Sequence, residues 1–175
     1  MVLRGSDVFK YTAAKTENYI TFKPELFQQV AKTEFYRAKE KLLYRFICSQ
    51  LVFAYDNKQT LSLNSCNILI PKISDLSIKY IMAILNSSVM QFYYQLKFNS
   101  VKVLRNHLEQ LPIVYCDEKN QKTIEDLTDK LISSDSDDEK HAIYDSIDKI
   151  VASLYGLTDK ELELVKNKAI STVLF

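Results

Sequence analysis

Residues 97–107 read KFNSVKVLRNH. The run gathers Lys97, Asn99, Lys102, Arg105, Asn106 and His107. These are the side chains that meet nucleic acid. Lysine offers phosphate a point charge, arginine forks onto guanine, and asparagine pairs with adenine. The same types recur upstream. Lys10, Lys15, Lys39 and Lys41 join Lys97 and Lys102 as candidate phosphate contacts. Arg4, Arg37 and Arg45 join Arg105, Asn99, Asn106 and His107 as candidates for base edges. Arg45 lies amid apolar strand residues, a context that equally suits a side chain exposed on the opposite face or ion-paired. His107 also fits a structural hydrogen-bonding role. Tyr11 and Tyr36 read as core or rim aromatics rather than base-stacking platforms.

Other chemistries find less support. Asp117-Glu118-Lys119 and Asp137-Asp138-Glu139-Lys140 hold the residue types of a magnesium nuclease. Both sit where helices begin, and acidic residues are favoured there by the helix dipole. No metal site and no catalytic residue is therefore expected. Cys48 lies in a strand with no histidine placed beside it by sequence, so a Cys-His pair is unsupported. The two glycines, Gly5 and Gly156, are far apart, which excludes a glycine-rich phosphate cradle. Three cysteines without a C-x-x-C pattern argue against structural zinc and a disulfide framework, and a reducing cytoplasm is expected.

The net charge of +1 conceals a division. Residues 1–115 hold 15 Lys/Arg against 8 Asp/Glu, and residues 116–175 hold 8 against 14. A basic N-terminal part suits a polyanion, with the acidic part facing away from it. No signal peptide is expected, because the first residues carry no apolar h-region. The apolar run at 80–85 is too short to cross a membrane.

These side chains need a scaffold. Residues 1–23 predict one or two short strands. Pro24 suits a first helical position, and 25–33 show helical spacing. Residues 42–48 and 50–55, rich in β-branched and aromatic types, predict two strands. A turn at 56–59 leads to a partner strand over 60–70, which Pro71 ends. A long helix, apolar nearly all round, is predicted over 76–97 with Ser74 or Asp75 as cap. A helical turn follows at 105–110, stopped by Pro112. Beyond 116 the pattern predicts helices over 119–132, 140–155 and from Thr158 to about 169, with Gly156 as a C′ residue and Thr158/Glu161 as a capping box. The expected fold is α+β. A twisted, largely antiparallel sheet in residues 1–115 packs on a long buried helix, and a three-helix extension over 116–175 packs back on it, possibly as one single domain.

Several stretches carry a family resemblance. They are Leu3-Arg4-Gly5-Ser6-Asp7-Val8-Phe9-Lys10-Tyr11, KLLYRFICSQLVFAYD at 41–56, LNSCNILIP at 63–71, KYIMAILNS at 79–87, residues 98–113 ending in Leu111-Pro112-Ile113, and residues 143–163 with Leu154-Tyr155-Gly156-Leu157-Thr158. In this order they resemble the TaqI-like C-terminal specificity domain of adenine-directed DNA methyltransferases and fused restriction–modification enzymes. The resemblance implies a type II restriction–modification target recognition domain that binds double-stranded DNA and is not an enzyme by itself. It implies an N-terminal methyltransferase domain, in the same chain or on a partner subunit, holding S-adenosylmethionine and methylating adenine at N6. This chain lacks an Asn-Pro dipeptide, so the family's N-P-P-Y motif is absent and no cofactor is expected here. A protein-docking subunit and a type I specificity-subunit-like domain remain as alternatives. The second usually needs a ruler helix longer than any predicted here.

Overall fold

A computed structural model describes residues 1–98 and 100–169. Its centre is a three-stranded antiparallel sheet in the order β3-β2-β5, with β2 Lys41–Arg45, β3 Phe53–Asp56 and β5 Cys66–Leu69. The register sets Tyr44 opposite Phe53 and Leu42 opposite both Tyr55 and Leu69. Strand alternation then sorts the side chains. Leu42, Tyr44 and Phe53 face one apolar cluster with the helices. Leu43, Ala54 and Cys66 face a second cluster with Leu3 and Val8. Both faces are covered, which explains why this part of the sequence reads as a nearly continuous apolar run.

The predicted strand at 60–70 is two strands in different sheets. β4 (Leu61–Ser62) pairs in parallel with β1 (Val2–Leu3), and only β5 joins the central sheet. The turn between them meets the N-terminal segment closely. Gly5 opens a 3-10 helix, Gly5–Asp7, and its amide donates to Ser65 Oγ at 3.0 Å. A Cβ at Gly5 would meet the Ser65 carbonyl oxygen at 2.4 Å. Gly5→Ala is thus expected to destabilise the chain by about 1–3 kcal/mol, read as a lower urea midpoint.

The helix predicted over 25–33 does not form. Pro24–Leu26 makes a 3-10 turn, and α1 spans only Thr33–Tyr36. Leu26 and Val30 are exposed and only Phe27 finds a partner, stacking on the Phe22 ring, and a short helix with so little packing is not self-sustaining.

The predicted long helix is two, α2 (Ile78–Asn86) and α3 (Ser88–Lys97), and its cap is Ser77. Ser87 breaks it with ψ 155°. The Ser87 hydroxyl donates to Ile84 O at 2.8 Å and accepts from Met90 N at 3.2 Å, capping both pieces. The break turns the Asn86 amide toward the sheet. It accepts from Phe53 N at 3.0 Å and donates to Phe53 O at 2.9 Å. Asn86 thereby shares the outer edge of β3 with Tyr11, whose amide donates to Phe53 O and whose carbonyl accepts from Tyr55 N, and the Phe53 amide has Asn86 as its acceptor.

The C-terminal helices follow the sequence closely. α5 is Glu118–Ser133, α6 is Asp137–Leu154 and α7 is Asp159–Lys168. Thr158 and Glu161 form the capping box, and Gly156 adopts φ 75°. Ile124, Leu131, Tyr144, Ile147 and Val151 share one cluster with Leu42, Phe53 and Ile84. The apolar core thus runs unbroken from the sheet through α2 into α5 and α6.

Candidate nucleic-acid interface

Beyond the end of β2 the chain pairs once more. Ile47 bridges Lys102 in antiparallel fashion, and Val103 N donates to Phe46 O at 2.8 Å. A two-stranded tip results, joining segments more than fifty residues apart in sequence. It is pinned from beneath. Val103 is 1% exposed. The Tyr94 hydroxyl donates to Lys102 O at 3.3 Å, and Ser100 Oγ bonds both Lys102 O and Lys102 N. The His107 ring stacks on Phe98 with centroids 4.3 Å apart, and its Nδ1 lies 3.4 Å from the Tyr94 hydroxyl. His107 is therefore a structural member of this support.

The cations on top are held loosely. Lys102 and Asn106 are exposed. α4 (Arg105–Leu108) carries Arg105, whose Nε meets Glu109 at 2.6 Å while its side chain stays 89% exposed. So open a pair contributes little, and a phosphate can displace the carboxylate. Lys97 ends α3, lying over the Tyr93 and Phe98 rings and donating to the Tyr93 hydroxyl at 3.1 Å. Arg45 is half-buried. Its Nε donates to Val8 O at 2.6 Å, and its guanidinium lies over the Phe9 ring. Arg4 is exposed near the same end, because the 63–65 turn that Gly5 contacts leads into β5 opposite Arg45. Lys15 is exposed just past Ala14, whose amide donates to Asp7 O.

Arg37 and Lys39 are exposed but precede β2, at its opposite end. At ~3.3 Å per residue, the steps from Lys41 to Ile47 put that end about 20 Å from the tip. Arg37 lies over the Phe22 ring, and its carbonyl accepts from the Gln59 side chain. Asn99 lies outside the described residues.

Two predicted phosphate contacts are corrected. Lys10 is 5% exposed, and its ammonium donates to Asn86 O at 2.8 Å and to the Tyr144 hydroxyl at 3.1 Å. Burial lowers its pKa to about 8, and the charge of Asp148 only partly offsets this. Asp148 accepts from Ser88 N at 2.8 Å, and burial pushes its carboxyl upward. Lys41 is fully buried, 2.5 Å from Asp56 and 3.0 Å from Tyr36 O. Neither ammonium reaches the surface. Desolvating a charge is tolerated only with such partners, and those partners consume the donors a phosphate would need.

Two further titratable groups, Asp117 and Cys66, serve the fold. Asp117 caps α5 by accepting from Asn120 N at 2.9 Å. Burial pushes the Cys66 thiol up to about 12, which makes it inert as a nucleophile. Among the described residues no three His, Cys, Asp or Glu side chains gather as a metal site. The structure also exposes two apolar side chains at the tip, Ile47 at 64% and Val101 at 68%, which residue types alone did not single out. The half-burial of Phe46 and Cys48 on either side of Ile47 is the alternation that marks it as outward-facing.

The family model of the TaqI-like C-terminal specificity domain matches residues 1–113. That span contains the whole sheet, α2, α3, the tip and α4. No curated protein matches the chain.

Proposed function

The chain belongs to the TaqI-like C-terminal specificity domain family, and on that premise we propose that it recognises the DNA target of a restriction–modification N6-adenine methyltransferase or restriction enzyme without catalysing a reaction itself. The observation that carries this reading lies within the matched span: a tip anchored in the core presents Lys102, Arg105 and Asn106 to solvent, with Lys97 beside it. Phosphate contacts from Lys97, Lys102, Arg4 and Lys15 supply affinity and its salt dependence. Arg105, Asn106 and the partly held Arg45 are the groups suited to base edges. Arg37 and Lys39 suit the flanking backbone at the far end of β2.

The carboxylate-rich helices α5, α6 and α7 are joined to the core through α2 and α3. This keeps most of the negative charge on elements other than the tip, as a duplex-facing surface requires. The adenine would be extruded and methylated by a separate domain, in the same chain or on a partner subunit, which would also hold S-adenosylmethionine. We place the protein in the cytoplasm, with the DNA it would read.

The test is duplex binding across a salt series. Lys102→Ala with Arg105→Ala is expected to weaken binding at least tenfold and to flatten the slope of log K against log salt by about 0.9, for the one phosphate that Lys102 no longer neutralises. Both side chains are exposed, so the melting temperature should hold. Unchanged affinity and slope would refute the assignment. A loss confined to binding of a partner protein would instead favour a docking role.

A further inference from the structure

Resting on that DNA-reading function, we propose that Ile47 is a specificity-determining residue that contacts the 5-methyl group of a thymine in the major groove. Ile47 is 64% exposed just beyond β2, while its neighbours Phe46 and Cys48 are half-buried. A β-branched apolar side chain gains nothing from water there. The antiparallel bridge to Lys102 sets the two side chains next to each other. Val101, 68% exposed, adds a second apolar group beside the bridge.

The shape and the charge both fit a groove. The major groove admits a two-stranded ribbon, and the thymine methyl is the apolar feature of its floor. The groove walls are phosphate. The charged side chains nearest to Ile47 and Val101 along the chain are Arg45, Lys97, Lys102 and Arg105. The carboxylate next along the chain is Glu109, which pairs with Arg105 in the free chain. An apolar point set among cations complements an apolar base feature set among anions. The tip is also rigid, because buried Val103, the Tyr94 hydroxyl and the Val103–Phe46 hydrogen bond hold it before any ligand arrives. Such preorganisation lowers the ordering cost of binding.

The experiment is selection from a random duplex library by the 175-residue chain, followed by resynthesis of the enriched duplex with deoxyuridine in place of thymidine. The swap removes only the methyl groups. The wild type is expected to lose about fourfold in affinity, the equivalent of one buried methyl group. Ile47→Ala should bind both duplexes alike, with an unchanged salt slope and melting temperature. If the wild type enriches a motif yet tolerates uracil, or if Ile47→Ala keeps the full penalty, the inference fails while the DNA-reading function stands. If the wild type retains no duplex at all, the DNA-reading function fails and takes the inference with it.

Discussion

Asn86→Ala is expected to destabilise the chain by about 3 kcal/mol, among the largest effects of any single polar substitution here. The Asn86 side chain is fully buried, and it both donates to and accepts from the backbone of Phe53. Alanine removes two hydrogen bonds at once. The Phe53 carbonyl keeps a bond from Tyr11 N at 2.7 Å, but the Phe53 amide is left in an apolar setting without its acceptor. An orphaned buried donor costs more than an average bond gains. Urea denaturation should move the midpoint down by roughly 1–2 M for a slope of ~2 kcal/mol per molar. A shift below a few tenths of a molar would mean that water replaces the amide without loss. Asn86→Asp tests the same geometry. It preserves an acceptor for the Phe53 amide but buries a charge against the Phe53 carbonyl, so it should not rescue stability.

Lys41→Met should cost about as much, roughly 3 kcal/mol, because it strands a buried carboxylate. Burial pushes the Asp56 carboxyl up, but hydrogen bonds from Lys41 and Thr60 and the charge of Lys41 together hold it below its usual 3.8. The sign follows from linkage. A depressed carboxyl stabilises the fold above the unfolded value, and that contribution is lost as pH falls through the folded value. In Lys41→Met, burial is opposed mainly by Thr60, so the carboxyl rises and acid relieves it. The stability gap between variant and wild type should therefore be widest near neutrality and narrow as pH falls from the variant's raised carboxyl value through the wild type's, which lies below 3.8. A constant gap would contradict the pair as described. Wherever the variant remains folded, its duplex affinity should equal that of the wild type, since the Lys41 ammonium never reaches the surface.

These two residues also mark what the sequence could and could not disclose. The C-terminal helices were readable because their signals are local: Thr158 and Glu161 stand three apart, and Gly156 adopts positive φ two residues before the cap. The β2–β3 pair was readable for a similar reason, as two apolar runs close in sequence. Lys10 and Lys41 were not. A buried lysine and a surface lysine look alike until their partners are known, and the carbonyl that holds Lys10 belongs to Asn86, 76 positions away. The break at Ser87 escaped a periodicity argument because the apolar pattern continues through it. The contact that accompanies it, the pair of Asn86 bonds to Phe53, spans 33 positions. Residues 25–33 failed in the opposite sense, with helical spacing but only Phe27 packed against a neighbour. At the candidate interface the residue types were legible, whereas the convergence of the Ile47 and Lys102 strands depends on tertiary pairing.

The link from Lys10 through Asn86 and Tyr144 to Ser88 and Asp148 has a practical corollary. Two of its members, Tyr144 and Asp148, lie on α6, outside the 113 residues that define the family match. A truncation at that boundary would leave the Lys10 ammonium and the Ser88 amide facing a void, and would strip the apolar side of α2 of its cover. The smallest piece able to fold should therefore include α6, so expression limits are better chosen from this polar tether than from the edge of the family match.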